Sequence, residues 1–512
     1  MSAFIKIYLW QILSLISGFA TLFIVTPFLA TNAYLFGVYS IVTSLSLFLT
    51  YADVGFLSAG VKYASECVAR EERDEEIKII AFVTFVLTIF VSIIAIITVV
   101  FACYPHVLIK SLSDKFSEHI ASVLLLVFAL STPVLILQRS VQIIFNIRLK
   151  DYLYQRIFTT ANLVKISSAY FFFGNGKYML IEYFIFTQII GLIAVIITLY
   201  LARKIFNYDL TKYFKSIKFS RTIYNKTRKL AFSSLFVTVS WIIFYEIDLI
   251  VIGKFIGPKA IALFSLCLSV TVLFRSLHSI FYNPFIAKFN HYIGKKDFKS
   301  FSEAFYKILV LGLPISVFPT LIVVLTIKSF VFSWVGPSYS SMIPIVSVLL
   351  IIYIFNFISN PASIAIVAFE KIKSIYIISA IMPIIYWVGI VFSYRYFGLQ
   401  SFAIFKLLAI IISTVVYSFL AVKLLKIDYQ KFLISNIIPV MFVSIILYLL
   451  IHYTQEFLPY SKGSFELFKY TLACACYLLF AIVLYFLFSN EFREIIKSFM
   501  MNLINMLKAK KG

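Results

Sequence analysis

The chain has 512 residues, of which 62% are hydrophobic and only 13% are charged, whereas soluble globular domains contain about 25% charged residues. This composition excludes a soluble protein. The five cysteines are scattered over apolar or cytosol-facing stretches, which is typical of small packed side chains and not of disulfides or metal ligands. The net charge of +23 comes from basic residues in short segments between apolar stretches. It therefore indicates membrane topology and not binding to nucleic acid.

Apolar stretches long enough to cross a bilayer, which requires roughly 20 residues in a helix, recur along the chain. We predict fourteen spans in an all-α integral membrane protein. The first is too long for the apolar region of a signal peptide, and no soluble domain follows it. The predicted spans are 7–30, 35–60, 79–104, 119–147, 157–173, 179–202, 231–253, 260–285, 304–333, 342–369, 375–397, 399–422, 433–454 and 468–489.

The distribution of Lys and Arg predicts the orientation of these spans. With the N-terminus in the cytoplasm, the cytoplasmic segments carry roughly four times as many Lys and Arg as the outer loops. Both termini are therefore predicted to be cytoplasmic. The longest cytoplasmic connection, 203–230, has nine basic residues against one acid, Asp209, and its charge is expected to attract anionic lipid. The cytoplasmic segment Ser65–Lys78 is expected to be a solvated helical extension with intrahelical ion pairs.

An internal repeat is visible when the chain is shifted by 225 residues, which places Phe36–Ile41 over Ile261–Leu266. Each segment begins a predicted span of the same orientation, so the repeat is parallel, with its pseudo-two-fold axis along the membrane normal. This predicts two six-helix lobes followed by two further helices and a tail. The predicted regions are an N-lobe at 1–202, a basic linker at 203–230, a C-lobe at 231–422, spans 13 and 14 at 423–489 and an amphipathic cytoplasmic tail at 490–512.

Short motifs beside these repeats resemble a known family. Asn32–Ser40 and Leu49–Phe56 are similar to the second-span signature of bacterial O-antigen and related polysaccharide flippases. Glu246–Gly253, leading to Ala262–Ser265, is similar to the passage between the seventh and eighth spans of the same family. The resemblance implies the fold of the multidrug/oligosaccharidyl-lipid/polysaccharide exporter superfamily, with two lobes that rock around a central cavity. It also implies the substrate, an oligosaccharide on undecaprenyl pyrophosphate, and a location in the bacterial inner membrane.

Three basic residues lie within predicted spans at one depth, roughly 12 to 15 Å from the cytoplasmic boundary. They are Arg139, Lys165 and Arg275. A charge in the bilayer costs about 2.5 to 3.5 kcal/mol, so each needs a partner or a hydrated cavity. We predict that they line a cavity and bind the pyrophosphate, with Arg providing bidentate contacts. The alternatives are a structural ion pair for the arginines, for instance with Asp53, and snorkelling of Lys165.

Further polar residues are predicted to line the cavity or to bind a coupling ion. These residues are Asp53, Gln142, Trp241, Asp248 and His278. Gln142 and His278 share helix faces with Arg139 and Arg275, whereas Trp241 and Asp248 belong to a separate polar stripe on span 7. His278 aligns with Asp53 under the shift of 225 residues. The alternatives are a packed interior histidine at position 278 and an ion pair within the bundle for Asp248.

The sequence predicts a transporter and not an enzyme. It has no Gly-rich phosphate loop, no Cys and His at ligand spacing and no segment large enough for a nucleotide-binding domain, so neither a cofactor nor a metal is expected. Transport would then depend on substrate gradients or on a coupling ion, a proton or sodium. Two alternatives stay open. A multidrug extruder of the same fold would favour an acidic cavity, and a membrane glycosyltransferase or polymerase would need larger outer loops than 105–118 and 455–467.

Overall fold

The computed structural model describes residues 3–51, 55–110, 112, 115–148, 150–369, 372–425 and 432–509. Within these ranges the chain is helical and contains no strand, which confirms the predicted all-α class. Packing divides the chain into two units, residues 1–265 and 266–512, and the boundary lies inside one long helix. The predicted lobes at 1–202 and 231–422 stay a prediction.

The described residues of the first unit form ten complete helices of six residues or more and the start of an eleventh. They are α1 (Ala3–Ala20), α2 (Ala33–Tyr51), α3 (Phe56–Ala69), α4 (Arg73–Cys103), α5 (Lys115–Asn146), α6 (Asp151–Phe173), α7 (Leu180–Phe206), α8 (Leu210–Lys215), α9 (Arg221–Tyr245), α10 (Asp248–Phe255) and α11 (Pro258–Gly294). Helix α4 packs along α5, and α6 packs between α1 and α7. Helix α8, in the predicted cytoplasmic connection, packs against α4.

The second unit contains the rest of α11 and the helices that follow it. They are α12 (Phe298–Leu325), α13 (Ile327–Trp334), α14 (Ile343–Ile351), α15 (Asn356–Ala368), α16 (Ile372–Phe397), α17 (Gln400–Leu425), α18 (Ile438–Thr454), α19 (Ser464–Phe488) and α20 (Asn490–Ala509). Helix α12 is central, because α14, α15, α18 and α19 all pack against it. The tail begins docked on this unit, since Glu491 accepts hydrogen bonds from Tyr306 (2.6 Å) and Asn436 (2.7 Å).

The described residues contain eleven helices long and apolar enough to cross a membrane, or twelve if one bent pair is counted as a span. That pair is α10 with the end of α9, bent by 43°. The predicted number of fourteen is therefore not confirmed. Predicted spans 2 and 5 are helical, as α2 and α6, but neither is among these eleven helices. Helix α6 carries many polar and charged residues.

Two turns of π-helix interrupt the spans, one in each unit, at Thr21–Val25 and Leu433–Ile437. Each ends two residues before a proline, Pro27 or Pro439. A proline lacks the N–H that the preceding turn requires, and its ring clashes with the carbonyl four residues earlier. A wider turn relieves both problems without ending the helix.

The two repeated segments meet inside the first unit. The Ser265 hydroxyl donates to the Ser40 hydroxyl at 3.1 Å, and these residues are equivalent under the shift of 225 residues. Close approach of the helices depends on Gly37 in α2, where an added Cβ would stand 2.0 Å from the carbonyl oxygen of Pro258. A contact between equivalent positions is expected where two repeats meet on a pseudo-two-fold axis.

We expect Gly37→Ala to lower the stability of the protein by about 1 to 3 kcal/mol, because the clash involves backbone atoms and the helices must separate. Gly18→Ala is the matched control, since nothing lies within 4 Å of its added Cβ. Thermal unfolding of the purified protein in detergent, followed by fluorescence-detected size exclusion, measures both. Equal unfolding temperatures for the two variants would show that Gly37 is not required for this contact.

Candidate functional site

The predicted basic residues of the first unit lie on α5 and α6. Arg139 is half-buried and stands close enough to the phenol of Tyr154 on α6 to act on it electrostatically. The neighbouring Gln138 hydrogen-bonds the same phenol. Gln142 is half-buried one turn further along α5. Arg139 and Gln142 are thus neither fully exposed to lipid nor fully enclosed in the core.

Lys165 on α6 is half-buried beside α7. Its Nζ lies 3.8 Å from the position that a Cβ on Gly191 would occupy. On the preceding turn, the amide of Asn162 donates to the hydroxyls of Ser17 (2.7 Å) and Thr21 (3.0 Å) on the first span. The polar stripe of α6 therefore includes a contact between helices, which ties α6 to the π-turn after α1.

The predicted polar stripe of span 7 runs across a bend of 43° between α9 and α10. Trp241 is 39% exposed and its ring packs against that of Tyr245, with ring centroids 4.3 Å apart. Asp248 is fully buried at the start of α10. A shared surface for Trp241 and Asp248 stays a prediction, because helical periodicity applies to a continuous helix.

In the second unit, Arg275 and His278 lie one turn apart on α11. Arg275 is half-buried, whereas His278 is 3% exposed. The His278 ring bonds through Nδ1 to the Phe274 carbonyl at 2.8 Å and through Nε2 to the Ser316 hydroxyl at 3.1 Å. The Tyr353 ring lies 5.4 Å from it. This is the geometry of a packed interior histidine, the alternative considered from the sequence.

The three predicted basic residues belong to two separately packed units, Arg139 and Lys165 to the first and Arg275 to the second. Asp53 lies outside the described residues. A common anion-binding role for the basic residues, and a coupling role for Asp248 or His278, thus stay proposals.

The structure adds a pocket that the sequence analysis missed, at the predicted cytoplasmic end of the first unit. Its volume is about 320 Å³. It is lined by Cys67, Val68, Glu71, Arg73, Glu76, Arg148 and Phe206. Its floor is a buried ion pair, in which Nη2 of Arg148 contacts the two carboxylate oxygens of Glu76 at 2.8 and 2.6 Å. Nη1 of Arg148 donates to the Ile144 carbonyl at 3.0 Å.

Aromatic rings close over this ion pair. The guanidinium of Arg148 lies 5.2 Å from the ring of Phe206 and 5.5 Å from that of Tyr208. Arg73 donates to the carbonyl of Phe206. Burial raises the pKa of Tyr208 well above its ordinary value, and the Glu76 carboxylate raises it further, so the phenol is neutral. These contacts therefore hold the C-terminal end of α7 against the start of α4 and the end of α5.

The segment Ser65–Lys78 differs from its predicted form as a solvated helical extension. The predicted type of ion pair is present between Lys78 and Glu75 at 2.7 Å, and both are exposed. However, α3 ends at Ala69 and α4 begins at Arg73. Glu76 then points into the protein and is 2% exposed. The available signal was that Ile79 and Ile80, three and four residues further on, share its helix face.

Comparison with known proteins places the fold and the family. Residues 3–289 match the family model described as polysaccharide biosynthesis protein. The comparison with curated proteins gives no match. Among solved structures, the chain is similar to "Lipid II flippase MurJ, inward closed conformation", with a TM-score of 0.68, 17% identity, and coverage of 96% of this chain and 99% of that chain.

A second similarity is to a multidrug resistance MATE family transporter of the MOP superfamily. Its inward-facing conformation gives a TM-score of 0.55 at 13% identity, covering 83% of this chain and 98% of that chain. Its outward-facing conformation gives 0.53 at 10% identity, covering 83% and 95%. At such identities these similarities show the fold alone, which is that of MurJ and the MATE transporters.

We expect Glu76→Ala to destabilise the protein by about 3 to 5 kcal/mol, because it leaves the Arg148 charge buried without its partner. The double variant Glu76→Leu with Arg148→Met removes both charges and is expected to recover most of this loss. Glu75→Ala, which breaks the exposed pair with Lys78, is the control and should cost less than about 1 kcal/mol. Thermal unfolding in detergent compares the three. A Glu76→Ala variant as stable as Glu75→Ala would contradict a structural role for the buried pair.

Proposed function

We propose that this chain, which belongs to the polysaccharide biosynthesis protein family, is a flippase for an oligosaccharide linked to undecaprenyl pyrophosphate. It would move an O-antigen or capsule-type repeat unit from the cytoplasmic to the outer face of the bacterial inner membrane, with both termini cytoplasmic. The observation that carries the proposal is the combination of this family with a fold similar, over 96% of the chain, to that of a lipid II flippase.

The proposed substrate-binding residues are Arg139, Lys165 and Arg275. All three are half-buried, and Arg139 and Arg275 lie in helices apolar enough to cross a membrane. A cation in such a place is costly unless water or an anion compensates it. A pyrophosphate would compensate these cations in two ways. Its negative charge offsets their positive charge, and its oxygens accept bidentate hydrogen bonds from guanidinium groups. The sugar would then need few charged contacts of its own.

The transport cycle is proposed to be alternating access, driven by the substrate gradient or by a coupling proton or sodium ion. Among the predicted coupling residues, Asp248 is the buried carboxylate at the break between α9 and α10. A carboxylate at a helix break has backbone polar groups close by, as a cation site requires. We further propose that the substrate path is lined by Gln142, Trp241 and His278.

The second candidate is a cation-coupled multidrug extruder, which the similarity to a MATE transporter and the buried acids Glu246 and Asp248 favour. The half-buried basic residues count against organic cations as the main substrate, because like charges repel in a cavity of low dielectric constant. The two candidates are separated by measuring surface glycan and cation efflux in the same strain.

We expect Arg275→Ala to reduce surface glycan at least about tenfold, as loss of a charge-assisted contact predicts. Arg275→Lys should restore export only in part, because it keeps the charge and loses the bidentate geometry. Arg275→Glu should be at least as damaging as Ala. Complementation of a flippase-null strain measures the glycan, and immunoblotting of membranes measures the protein level.

Arg395→Ala is the matched control for this series, since Arg395 is an exposed arginine near the end of α16 in the same unit. It should leave export unchanged. Full export by the Arg275→Glu variant would exclude anion binding by Arg275 and favour a structural ion pair. Loss of cation efflux with intact glycan would instead support the multidrug alternative.

A further inference from the structure

The cytoplasmic connection after α7 packs against the first unit through α8. Tyr213 of α8 is fully buried, and its hydroxyl lies 2.7 Å from that of Thr84 on α4. Thr84 in turn donates to the Ser140 hydroxyl on α5 at 2.9 Å. At the edge, Nζ of Lys212 contacts a carboxylate oxygen of Asp74 at 2.5 Å. We call residues 203–221 the inner-face collar.

The collar covers one side of the cytoplasmic part of α4, whose other sides pack against α5 and α3. Each residue from Ile79 to Thr88 is buried or half-buried, and exposed apolar residues appear only from Ile89 onward. At 1.5 Å per residue the enclosed stretch is roughly 15 Å long. The ring of Phe219 contributes to this cover, with its centroid 6.2 Å from that of Phe82. The collar thus stands beside the helix where the headgroups and first methylenes of the inner leaflet would otherwise lie.

The outer surface of the collar combines exposed apolar side chains with positive charge. Ile205, Phe214 and Phe219 are 44%, 46% and 57% exposed. The exposed basic residues around them are Arg203, Lys204, Lys215, Lys218 and Arg221. The acid of this segment, Asp209, caps α8 by accepting a hydrogen bond from the backbone N–H of Lys212 at 2.9 Å. The exposed surface is therefore strongly cationic.

We propose that the inner-face collar binds anionic phospholipid headgroups of the cytoplasmic leaflet. Lys and Arg attract the phosphates, while exposed aromatic and aliphatic side chains enter the boundary between headgroups and acyl chains. Each basic residue near an anionic surface strengthens binding about fivefold. The fixed backbone adds selectivity, because the Tyr213 and Lys212 contacts hold Phe214 and Lys215 at one depth.

Charge complementarity and depth identify the occupant as lipid and not as a cytosolic protein. The ring of Phe219 lies 6.2 Å from that of Phe82 and 6.4 Å from that of Phe85, on the stretch of α4 that leads to its exposed apolar residues from Ile89 onward, so the two surfaces are continuous along α4. A protein partner would need to enter the headgroup region to cover Phe214 and Phe219. The binding would hold whichever substrate the protein transports.

The test places a reporter on the collar. The full-length Phe214→Trp variant is reconstituted in nanodiscs that contain 30 mol% of a bromine-labelled phospholipid, either the anionic phosphatidylglycerol or the zwitterionic phosphatidylcholine. The difference in fluorescence between the variant and the parent isolates Trp at position 214. We expect the brominated anionic lipid to quench this signal at least twofold more than the brominated neutral lipid, and the excess to fall at high salt.

Charge reversal provides the matched comparison. A triple variant should be quenched equally by the brominated anionic and the brominated neutral lipid. It combines Lys204→Glu, Lys215→Glu and Lys218→Glu with the reporter. The control reverses three exposed lysines of predicted outer loops in the same unit, Lys115, Lys177 and Lys259, and should leave the excess unchanged. Equal quenching of the Phe214→Trp signal by the two lipids, without the charge reversals, would overturn the proposal. A blue-shifted signal that neither lipid quenches would also overturn it, because it would mean that protein covers this surface.

Discussion

The buried ion pair between Glu76 and Arg148 is the interaction on which the inner end of the first unit depends. Two charges removed from water are tolerated only when they compensate each other, so the pair fixes the start of α4 against the end of α5. The rings of Phe206 and Tyr208 then close over the guanidinium. Because those rings lie at the C-terminal end of α7, the pair also sets where the inner-face collar begins, and so links the packing of three helices to the surface that we propose binds lipid.

The helical architecture was predictable because the bilayer allows few alternatives. Backbone polar groups in hydrocarbon must be satisfied within the segment, so an apolar run of sufficient length is a helix. The exact spans were less predictable. The predicted span 231–253 is two helices bent by 43°, with Asp248 at the start of the second. The predicted span 35–60 contains the start of a second helix, α3, which begins after Gly55, and the φ of 78° at this position favours glycine. Such breaks depend on single backbone positions that an average of hydropathy does not detect.

The candidate site was predictable as a set of unusual residues but not as a geometry. Helical periodicity correctly shows which side chains share a face of one helix, yet it does not show what that face meets. Asn162 meets the first span, and His278 meets Ser316 of α12. The sequence predicts a solvated charged segment around Glu76, because its partner, Arg148, is 72 residues away. In each case the decisive neighbour lies on another helix, and pairing between helices is a tertiary property.

The charged residues of this chain fall into three groups with different physical requirements. These requirements distinguish structural charges from functional ones. A buried pair such as Glu76 with Arg148 needs only neutrality and good packing, so two apolar residues of similar volume can replace it. A cation that binds pyrophosphate needs its sign and its geometry, so no apolar residue replaces it and Lys does so only in part. The collar needs the sum of several charges, so each lysine contributes while none is essential. The response to substitution therefore assigns each role. A pair that apolar residues can replace without loss of stability is a structural contact, and an Arg that Lys replaces only in part is a ligand contact. A surface whose lipid binding falls stepwise with each lysine removed is a lipid surface.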